Sequence, residues 1–404
     1  MKPRNIVFKA LLKLENDGYS TIILNSFLKD YKGEDSGFIT ALFYGVIERK
    51  ITLDYVINKY LDKDINKINK DVLTVLRMGL YEALYMNSPL YAVTNEYVSL
   101  IKASKFKSSS GLVNAILRKA GTYDLKYLSN KSDEVKYSVN SCVLNTIYDS
   151  IGDKNGREFF ENSLKPAPTY VRINTFKEKF SLNDNFIKTP LKDFYLYKNF
   201  STSDPLFLDG KFYVQDISAA NSVYMSKPKE HEKILDLCSA PGGKSFTAYL
   251  LSNGKADITA CDIYEKRLKL VDDTAKKLGF NIKTLVNDAT VFNKNLGVYD
   301  LVICDVPCTG FGVIRRKPEI KYKEQDEINS ITELQIKIVN NAVKYVKSGG
   351  RMLYSTCTLN IKENSEIVKY ILENNRDFYL DIEKTMLPND MNGDGFYAAI
   401  IRRR

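Results

Sequence analysis

Two cysteines follow two predicted strands in the second half of the chain, Cys308 in the stretch Asp305–Cys308 and Cys357 in the stretch Ser355–Cys357. Because neighbouring strand ends of a parallel sheet meet in one crevice, the two thiols can lie close together. The residues around them lack the further ligands of a metal site, and disulfides are rare in a reducing compartment. The pair therefore favours a reaction in which one thiolate attacks as a nucleophile and a second thiol helps to reverse that bond. Spacing alone does not decide which thiol attacks.

A glycine turn upstream joins a predicted strand to a helix within Leu235–Lys244. Glycine lets the backbone approach a ligand closely, and the start of a helix offers unpaired N–H groups. The turn is not a P-loop, since the first glycine of that motif would fall at Cys238, and it is not a G-x-G-x-x-G fingerprint. A plain tight turn is the alternative to a ligand-binding loop. The candidate loop residues are Cys238, Ser239, Ala240, Pro241, Gly242, Gly243 and Lys244.

Two acidic residues follow the next two predicted strands. Asp262 stands twenty residues after Gly242, where a carboxylate can accept hydrogen bonds from ribose hydroxyls. Asp288 follows the third strand, where it can accept from an adenine amino group. Either residue alone is a routine polar group at a strand end. Together with the glycine turn, they predict an adenosine-shaped site at the carboxyl edge of the sheet.

The chain carries a formal net charge of +10 and has a pI of about 9.0. This charge favours an acidic partner, nucleic acid first, although a basic average composition would also account for it. Two groups of cations are candidates for phosphate contact, and a solvated charge run is the alternative for both. They are Arg315, Arg316 and Lys317 in the loop after the first cysteine, and Lys102, Lys105, Lys107, Arg118 and Lys119 in the N-terminal third.

These residues need a sheet and helices to position them. Apolar residues at helical spacing predict an all-helical domain of five to seven helices over residues 1–130. Residues 131–225 predict linker helices and a small α/β subdomain, and residues 226–404 a Rossmann-like, doubly wound parallel sheet. In the small subdomain the predicted strands are Tyr170–Asn174 and Phe212–Asp216. In the large one they are Ile234–Leu237, Asp257–Cys261, Lys283–Val286, Leu301–Cys304 and Arg351–Tyr354, with helices Ser245–Leu251, Lys266–Lys277 and Ile331–Val346.

Composition argues against several classes of protein. The start of the chain does not read as a secretory signal, and no apolar run approaches the ~20 residues that span a bilayer. The chain has a single histidine, His231, which argues against a histidine-rich metal site and against serine–histidine catalysis. Six cysteines in so long a chain suit a reducing cytoplasm, and three of them are interpreted as structural, namely Cys142, Cys261 and Cys304. We therefore expect a cytoplasmic protein with no metal and no membrane contact.

With these residues identified, the chain resembles the RNA 5-methylcytosine methyltransferases that use S-adenosylmethionine. It is most similar to the bacterial subgroup that modifies 16S ribosomal RNA, the RsmB type. The N-terminal helices resemble the NusB-type RNA-binding domain fused to those enzymes, through Ala41–Val46 and Leu112–Lys119. The catalytic motifs that carry the resemblance are Phe212–Asp216, Leu235–Lys244, Asp262, Asp288, Asp305–Cys308, Gly312–Pro318 and Ser355–Cys357.

The resemblance implies a role for each motif. Residues 238–244, Asp262, Asp288 and Asp305 are expected to hold S-adenosylmethionine, with Cys357 as the nucleophile that adds to C6 of a cytosine and Cys308 as the second thiol. Asp305 is also expected to hydrogen-bond the base near N3, and it would have to be protonated to donate there. The implied partner is 16S ribosomal RNA, bound by a monomer. The same chemistry on tRNA, or an RNA-binding assembly factor with an inactive methyltransferase fold, are the alternatives.

Overall fold

The computed structural model describes residues 2–15, 19–62 and 64–404, which form two compact units. The first comprises the described residues up to Asn145 together with the segment Lys317–Lys323. The second comprises Thr146–Arg316 and Glu324–Arg404. The three-part division at residues 130 and 225 stays a prediction.

The first unit is helical, and its described residues include no strand. Apolar side chains recur at a helical period and face inward, as Val72, Val75, Leu76 and Leu80 do along one helix. Asn69 caps that helix, because its side chain accepts from the backbone N–H of Asp71. The α-helices are α1 (Pro3–Leu14), α2 (Ser20–Leu28), α3 (Ser36–Glu48), α4 (Lys50–Asn58), α5 (Lys70–Tyr85), α6 (Leu90–Lys102), α7 (Ser110–Ala120) and α8 (Asp133–Tyr137).

The segment 317–323 packs into the first unit although it follows the Cys308 loop in sequence. Tyr322 donates its hydroxyl to the carbonyl of Ile47 at 2.6 Å. Lys321 has no exposed surface and donates to the carbonyl of Tyr137 at 3.1 Å. Burial lowers the pKa of the Lys321 ammonium to about 7. The sequence pattern assigns this stretch to the α/β domain, and no local feature indicates that it packs among the helices.

The second unit contains a small antiparallel sheet with the strand order β2-β3-β1-β4. The sequence predicts only the first and last of its four strands. The two missed strands are only three and four residues long, too short to show the two-residue periodicity of a strand. The helix α9 (Ser141–Ile151) begins in the first unit and ends in the second. The elements that follow it are α10 (Asp153–Ser163), β1 (Tyr170–Ile173), β2 (Phe186–Lys188), β3 (Phe194–Tyr197), α11 (Pro205–Leu208) and β4 (Phe212–Val214).

A seven-stranded sheet forms the rest of the second unit, in the order β10-β11-β9-β8-β5-β6-β7. The five predicted strands are all present and pair in parallel. Two further strands, which the sequence analysis did not predict, pair antiparallel at one edge and make the sheet mixed. The strands are β5 (Lys233–Asp236), β6 (Asp257–Asp262), β7 (Lys283–Val286), β8 (Tyr299–Asp305), β9 (Val346–Thr356), β10 (Phe378–Met386) and β11 (Phe396–Arg403).

Helices provide apolar side chains to both faces of this sheet. Ile234 and Leu235, adjacent on β5, belong to two separate apolar clusters, as expected for a strand that is covered on both sides. The helix predicted at Ile331–Val346 spans Gln325–Ala342 in the structure. It begins earlier because Glu324 and Glu327 form a capping box at its start, and it ends earlier because β9 begins at Val346. The helices are α12 (Ile217–Ser226), α13 (Gly243–Leu251), α14 (Glu265–Leu278), α15 (Gln325–Ala342), α16 (Ser365–Asn374) and α17 (Pro388–Met391).

Candidate active site

The carboxyl ends of the parallel strands carry the candidate site. Asp236 ends β5, Asp262 ends β6 and Asp305 ends β8. In the register between β8 and β9, Asp305 lies opposite Ser355, whose hydroxyl donates to Asp305 Oδ1 at 2.7 Å. Since these strands are neighbours or near neighbours, their ends share one edge of the sheet.

The two predicted thiols lie together at this edge. The Sγ atoms of Cys308 and Cys357 are 3.0 Å apart, and both residues are partly buried. The hydrogen bond with Cys357, together with burial, raises the pKa of Cys308 well above its usual value, and nearby carboxylates add to this shift. Either sulfur can donate in this hydrogen bond, so the contact by itself does not order the two thiols.

Lys244 contacts the same edge from the first turn of α13. Its Nζ lies 2.6 Å from Asp305 Oδ2, and its side chain is 10% exposed. The ammonium also lies 5.0 Å from the centroid of the Phe396 ring. The sequence places Lys244 only in the cofactor loop, whereas the structure pairs it with Asp305, so that it becomes a further candidate catalytic residue.

The glycine turn wraps the start of α13. Gly242 adopts φ +107°, a conformation that favours glycine, and a Cβ atom there would collide with the ring of Phe246. The Ala240–Pro241 peptide bond is cis. The Ser245 hydroxyl donates to Asp236 Oδ2 at 2.7 Å, which ties the helix to the end of β5.

A cavity of about 400 Å³ opens beside the turn. Its lining includes every residue of the predicted loop except Gly242, and also Asp305, Asp236 and Gln215. Among the described residues, the buried Ser239 Oγ and Gln215 Nε2 atoms have no hydrogen-bond partner. Because buried polar atoms are normally paired, these two indicate a polar ligand in the cavity. Sequence reasoning misses Gln215, although it stands directly after β4 within the motif Phe212–Asp216.

Asp262 and Asp288 lie at the ends of β6 and β7 but outside the lining of this cavity. Asp262 is buried, with one oxygen 3.5 Å from Arg267 Nη1 and the other accepting from the backbone N–H of Tyr264 at 3.1 Å. Asp288 Oδ1 accepts from the backbone and the hydroxyl of Thr290. Both carboxylates stand at the predicted strand ends, and their contact with a nucleoside stays a prediction.

Two of the predicted phosphate-binding cations are engaged within the second unit. Arg316 forms ion pairs with Asp394 at 2.7 Å and Asp216 at 3.3 Å. Arg315 donates to the carbonyl of Lys165 at 2.9 Å and to other oxygen atoms nearby. These contacts order the loop and leave its cations less available for phosphate.

The remaining predicted cations are exposed. None of them forms a salt bridge with another residue that the structure describes, so their charges are uncompensated at short range. All six lie in the first unit, five of them at the ends of α6 and α7 and in the turn between them. They are Lys102, Lys105, Lys107, Arg118 and Lys119, and Lys317 is the sixth.

The described chain offers neither a metal cluster nor a membrane helix. Within residues 2–15, 19–62 and 64–404, no group of three or more histidine, cysteine or acidic side chains is arranged to hold a metal ion. None of the helices in these ranges combines the length and the apolar character that crossing a bilayer requires.

Known proteins resemble the whole chain. The family described as 16S rRNA methyltransferase RsmB/F matches residues 223–402, and the NusB family matches residues 1–122. The probable ribosomal RNA small subunit methyltransferase B of Bacillus subtilis (strain 168) is 28% identical, over 99% of this chain and 98% of that protein. The ribosomal RNA small subunit methyltransferase B of Serratia proteamaculans (strain 568) is 30% identical, again over 99% of this chain and 98% of that protein.

A solved structure shares the fold. The crystal structure of PH0851 superposes with a TM-score of 0.79 at 23% sequence identity, covering 100% of this chain and 99% of that chain. Together with the two family matches, this likeness confirms the predicted fold class, a Rossmann-like methyltransferase domain preceded by a helical NusB-like domain.

Proposed function

Because the chain belongs to the family of ribosomal RNA small subunit methyltransferase B, we propose that it transfers a methyl group from S-adenosylmethionine to C5 of a cytosine in 16S ribosomal RNA. The reaction proceeds through a covalent bond between Cys357 and C6 of the base. The observation that carries this proposal is the thiol pair, with 3.0 Å between the two sulfur atoms, at the same strand edge as Asp305 and Lys244.

The cavity beside the glycine turn fits the methyl donor. Its volume of about 400 Å³ lies within the ~300–1,000 Å³ of small-molecule sites. The orphaned Ser239 hydroxyl and Gln215 amide supply polar contacts, and the loop 238–244 and Asp305 line the wall. In our proposal Asp262 accepts from the ribose and Asp288 from the adenine. When bound, S-adenosylmethionine supplies an electrophilic methyl group.

Cys357 starts the reaction as a thiolate. Its sulfur forms a bond to C6, the π bond between C5 and C6 breaks, and the electron pair moves to C5, which becomes nucleophilic enough to take the methyl group. The raised pKa of Cys308 supports this order, because a Cys308 that keeps its proton donates a hydrogen bond to Cys357 and stabilises negative charge there. The base must leave its stack to reach the sulfur, because C6 is inaccessible within a helix.

Cys308 takes part in release. Once Cys357 is bonded to C6 it carries no negative charge, so Cys308 releases its own proton to water and becomes a thiolate. This thiolate takes the C5 proton, the C5–C6 double bond re-forms, the bond from C6 to sulfur breaks, and the electron pair returns to Cys357 as a thiolate. Cys308 is 3.0 Å from the departing sulfur and is the side chain that we assign to this step.

Asp305 and Lys244 orient the base. Among the residues that the structure describes, the Lys244 ammonium and the Ser355 hydroxyl contact the Asp305 carboxylate. Both are donors, so Asp305 acts as an acceptor. A donor is needed near N3 as negative charge develops on the ring, and Lys244 provides it without requiring a protonated Asp305. Our proposal thus reassigns to Lys244 the donor role expected of Asp305 from sequence.

The first test replaces each thiol. Cys357→Ala is expected to abolish both methylation and the covalent adduct, whereas Cys308→Ala is expected to leave RNA trapped on the protein. Denaturing gels of the full chain with unmodified 16S ribosomal RNA and S-adenosylmethionine measure the adduct. Cys142→Ala, a thiol substitution in the first unit, is the control and should behave as wild type. A trapped adduct in Cys357→Ala would reverse the order of the two cysteines.

The substrate is tested in the cell. Bisulfite sequencing of ribosomal and transfer RNA from a deletion strain should show one 16S cytosine that loses its methyl group. If the methyl group were lost only from a tRNA cytosine, tRNA and not 16S ribosomal RNA would be the substrate. In our proposal the protein acts as a monomer in the cytoplasm, and the six exposed cations contact RNA phosphates.

A further inference from the structure

Glu363 is a carboxylate with no exposed surface, in the turn between β9 and α16. Its partners in the described chain are neutral donors. The backbone N–H of Thr309 (2.8 Å) and the Gln335 amide (3.0 Å) donate to Oε2. The Thr309 hydroxyl (2.6 Å) and the Asn360 amide (2.9 Å) donate to Oε1. A buried charge is costly unless hydrogen bonds satisfy it, and here each oxygen receives two.

These hydrogen bonds converge on the backbone that carries the two thiols. Thr309 directly follows Cys308, and Thr358 directly follows Cys357. The two threonine hydroxyls are 2.8 Å apart. Because the Thr309 hydroxyl gives its one hydrogen to Glu363, the Thr358 hydroxyl is the donor between them. Glu363 therefore joins both thiol loops through one chain of hydrogen bonds.

Gln335 holds the other side of Cys308. Its amide donates to the carbonyl of Pro307 at 2.9 Å as well as to Glu363. The residues before and after Cys308 are thus both held by the same buried group of side chains. The negative charge of Glu363 also contributes to the raised pKa of Cys308, after the hydrogen bond with Cys357 and burial.

We propose that Glu363 is a positioning residue of the methyl transfer, which sets the distance between the two thiols and thereby the rate at which the covalent adduct is resolved. It acts through Thr309 and Thr358. The inference rests on the proposed two-cysteine function, and it extends that function to a carboxylate outside the sequence motifs.

The test compares Glu363→Gln with Glu366→Gln, which changes an exposed glutamate three residues further along. Glutamine keeps the volume but replaces one acceptor oxygen with a donor, so one of the paired donors loses its partner. Full-length protein is given unmodified 16S ribosomal RNA and S-adenosylmethionine. Turnover, KM for RNA, S-adenosylmethionine affinity by calorimetry and the fraction of protein trapped as an RNA adduct are measured.

For Glu363→Gln we expect turnover to fall on the order of 100-fold, the size of effect that a displacement of about 1 Å produces at a reacting centre. KM and S-adenosylmethionine affinity should change less than twofold, and the trapped fraction should rise. Glu366→Gln should match wild type. Unchanged turnover in Glu363→Gln, or reduced turnover without more adduct, would overturn the positioning role.

A second pair of variants applies if Glu363→Gln does not fold. Thr309→Val removes the hydroxyl from the chain of hydrogen bonds, and Thr309→Ser retains it. We expect adduct to accumulate in Thr309→Val only, and equal behaviour of the two variants would overturn the proposal. Failure of the underlying function is distinguishable, because wild type would then form no 5-methylcytosine and Cys308→Ala would trap no RNA.

Discussion

At the scale of single residues, the site combines groups whose ionisation depends on burial. Asp236 has no exposed surface, lines the cavity and accepts from the Ser245 hydroxyl. Burial raises the pKa of Asp236 from 3.8 to about 7, and the neighbouring Asp305 adds to the shift. The folded protein therefore keeps a proton on Asp236 over a pH range in which the unfolded chain has already lost it.

Asp236→Asn tests this consequence. In wild type, the unfolded state releases the proton near pH 3.8 and the folded state near pH 7, so the free energy of unfolding falls as pH rises between these values. Asparagine cannot ionise, so the variant does not show that fall. The melting temperature of Asp236→Asn relative to wild type should therefore be higher at pH 8 than at pH 5.

The exposed Asp273→Asn is the control, and its melting temperature relative to wild type should not depend on pH. Burial also raises the pKa of Asp394 to about 7. Asp394 is present in wild type and in both variants, so its effect on the pH dependence of stability is the same in all three proteins. A pH-independent difference for Asp236→Asn would contradict the assignment of a protonated Asp236.

At the scale of elements, the loop after Cys308 is held against the loop that carries Cys357. The backbone N–H of Gly312 donates to the carbonyl of Cys357 at 3.0 Å, and Gly395 donates to the carbonyl of Gly312 at 2.9 Å. A Cβ atom on Gly312 would collide with the carbonyl oxygen of Gly395. Glycine is therefore required by close approach of two backbones rather than by a special φ angle.

Gly312→Ala should push this loop away from Cys357. Relieving such a collision in a packed region costs about 1–3 kcal/mol, so we expect a lower melting temperature together with a strong reduction of methylation. Gly37→Ala is the matched control, because a Cβ atom there meets no neighbour within 4 Å. Full activity in Gly312→Ala would show that the contact between the two loops is dispensable.

Elements differ in how far sequence can predict them. The parallel strands β5–β9 are short apolar runs between turns, and all five are identified from the sequence. The antiparallel β10 is missed because only its end residues, Phe378 and Met386, are buried, so that no apolar face shows in its sequence. The start of α15 is misplaced because its N-terminal turn is set by polar capping residues and not by apolar spacing.

At the scale of the whole molecule, the net charge is +10, and the predicted RNA-binding cations differ in whether they are already paired. Arg315 and Arg316 are occupied by oxygen atoms of the second unit, whereas the cations at the ends of α6 and α7 have no acidic partner among the described residues. Exposed, uncompensated cations are the ones that displace counterions from RNA. The helical unit is therefore the stronger candidate for phosphate contact.

Replacing Lys105, Lys107 and Lys119 with glutamine should weaken RNA binding and reduce its salt dependence. The slope of log K against log salt should become shallower by about one for each RNA phosphate that the variant no longer neutralises. Filter binding at several salt concentrations measures this slope. Replacing the exposed lysines 229, 266 and 269 of the second unit removes the same net charge and should have a smaller effect. Equal effects of the two triples would indicate that net charge alone matters.

The sequence by itself determined which residues could carry the proposed chemistry, since residue types at strand ends and the glycine turn are local features that need no partner to be recognised. It identified both cysteines, the glycine turn and the fold class. Only the tertiary structure decided which groups meet: the 3.0 Å between the sulfur atoms, Lys244 against Asp305, and Glu363 beneath both thiol loops. These contacts join residues far apart in the chain, and register and packing set their distances, which no local pattern records.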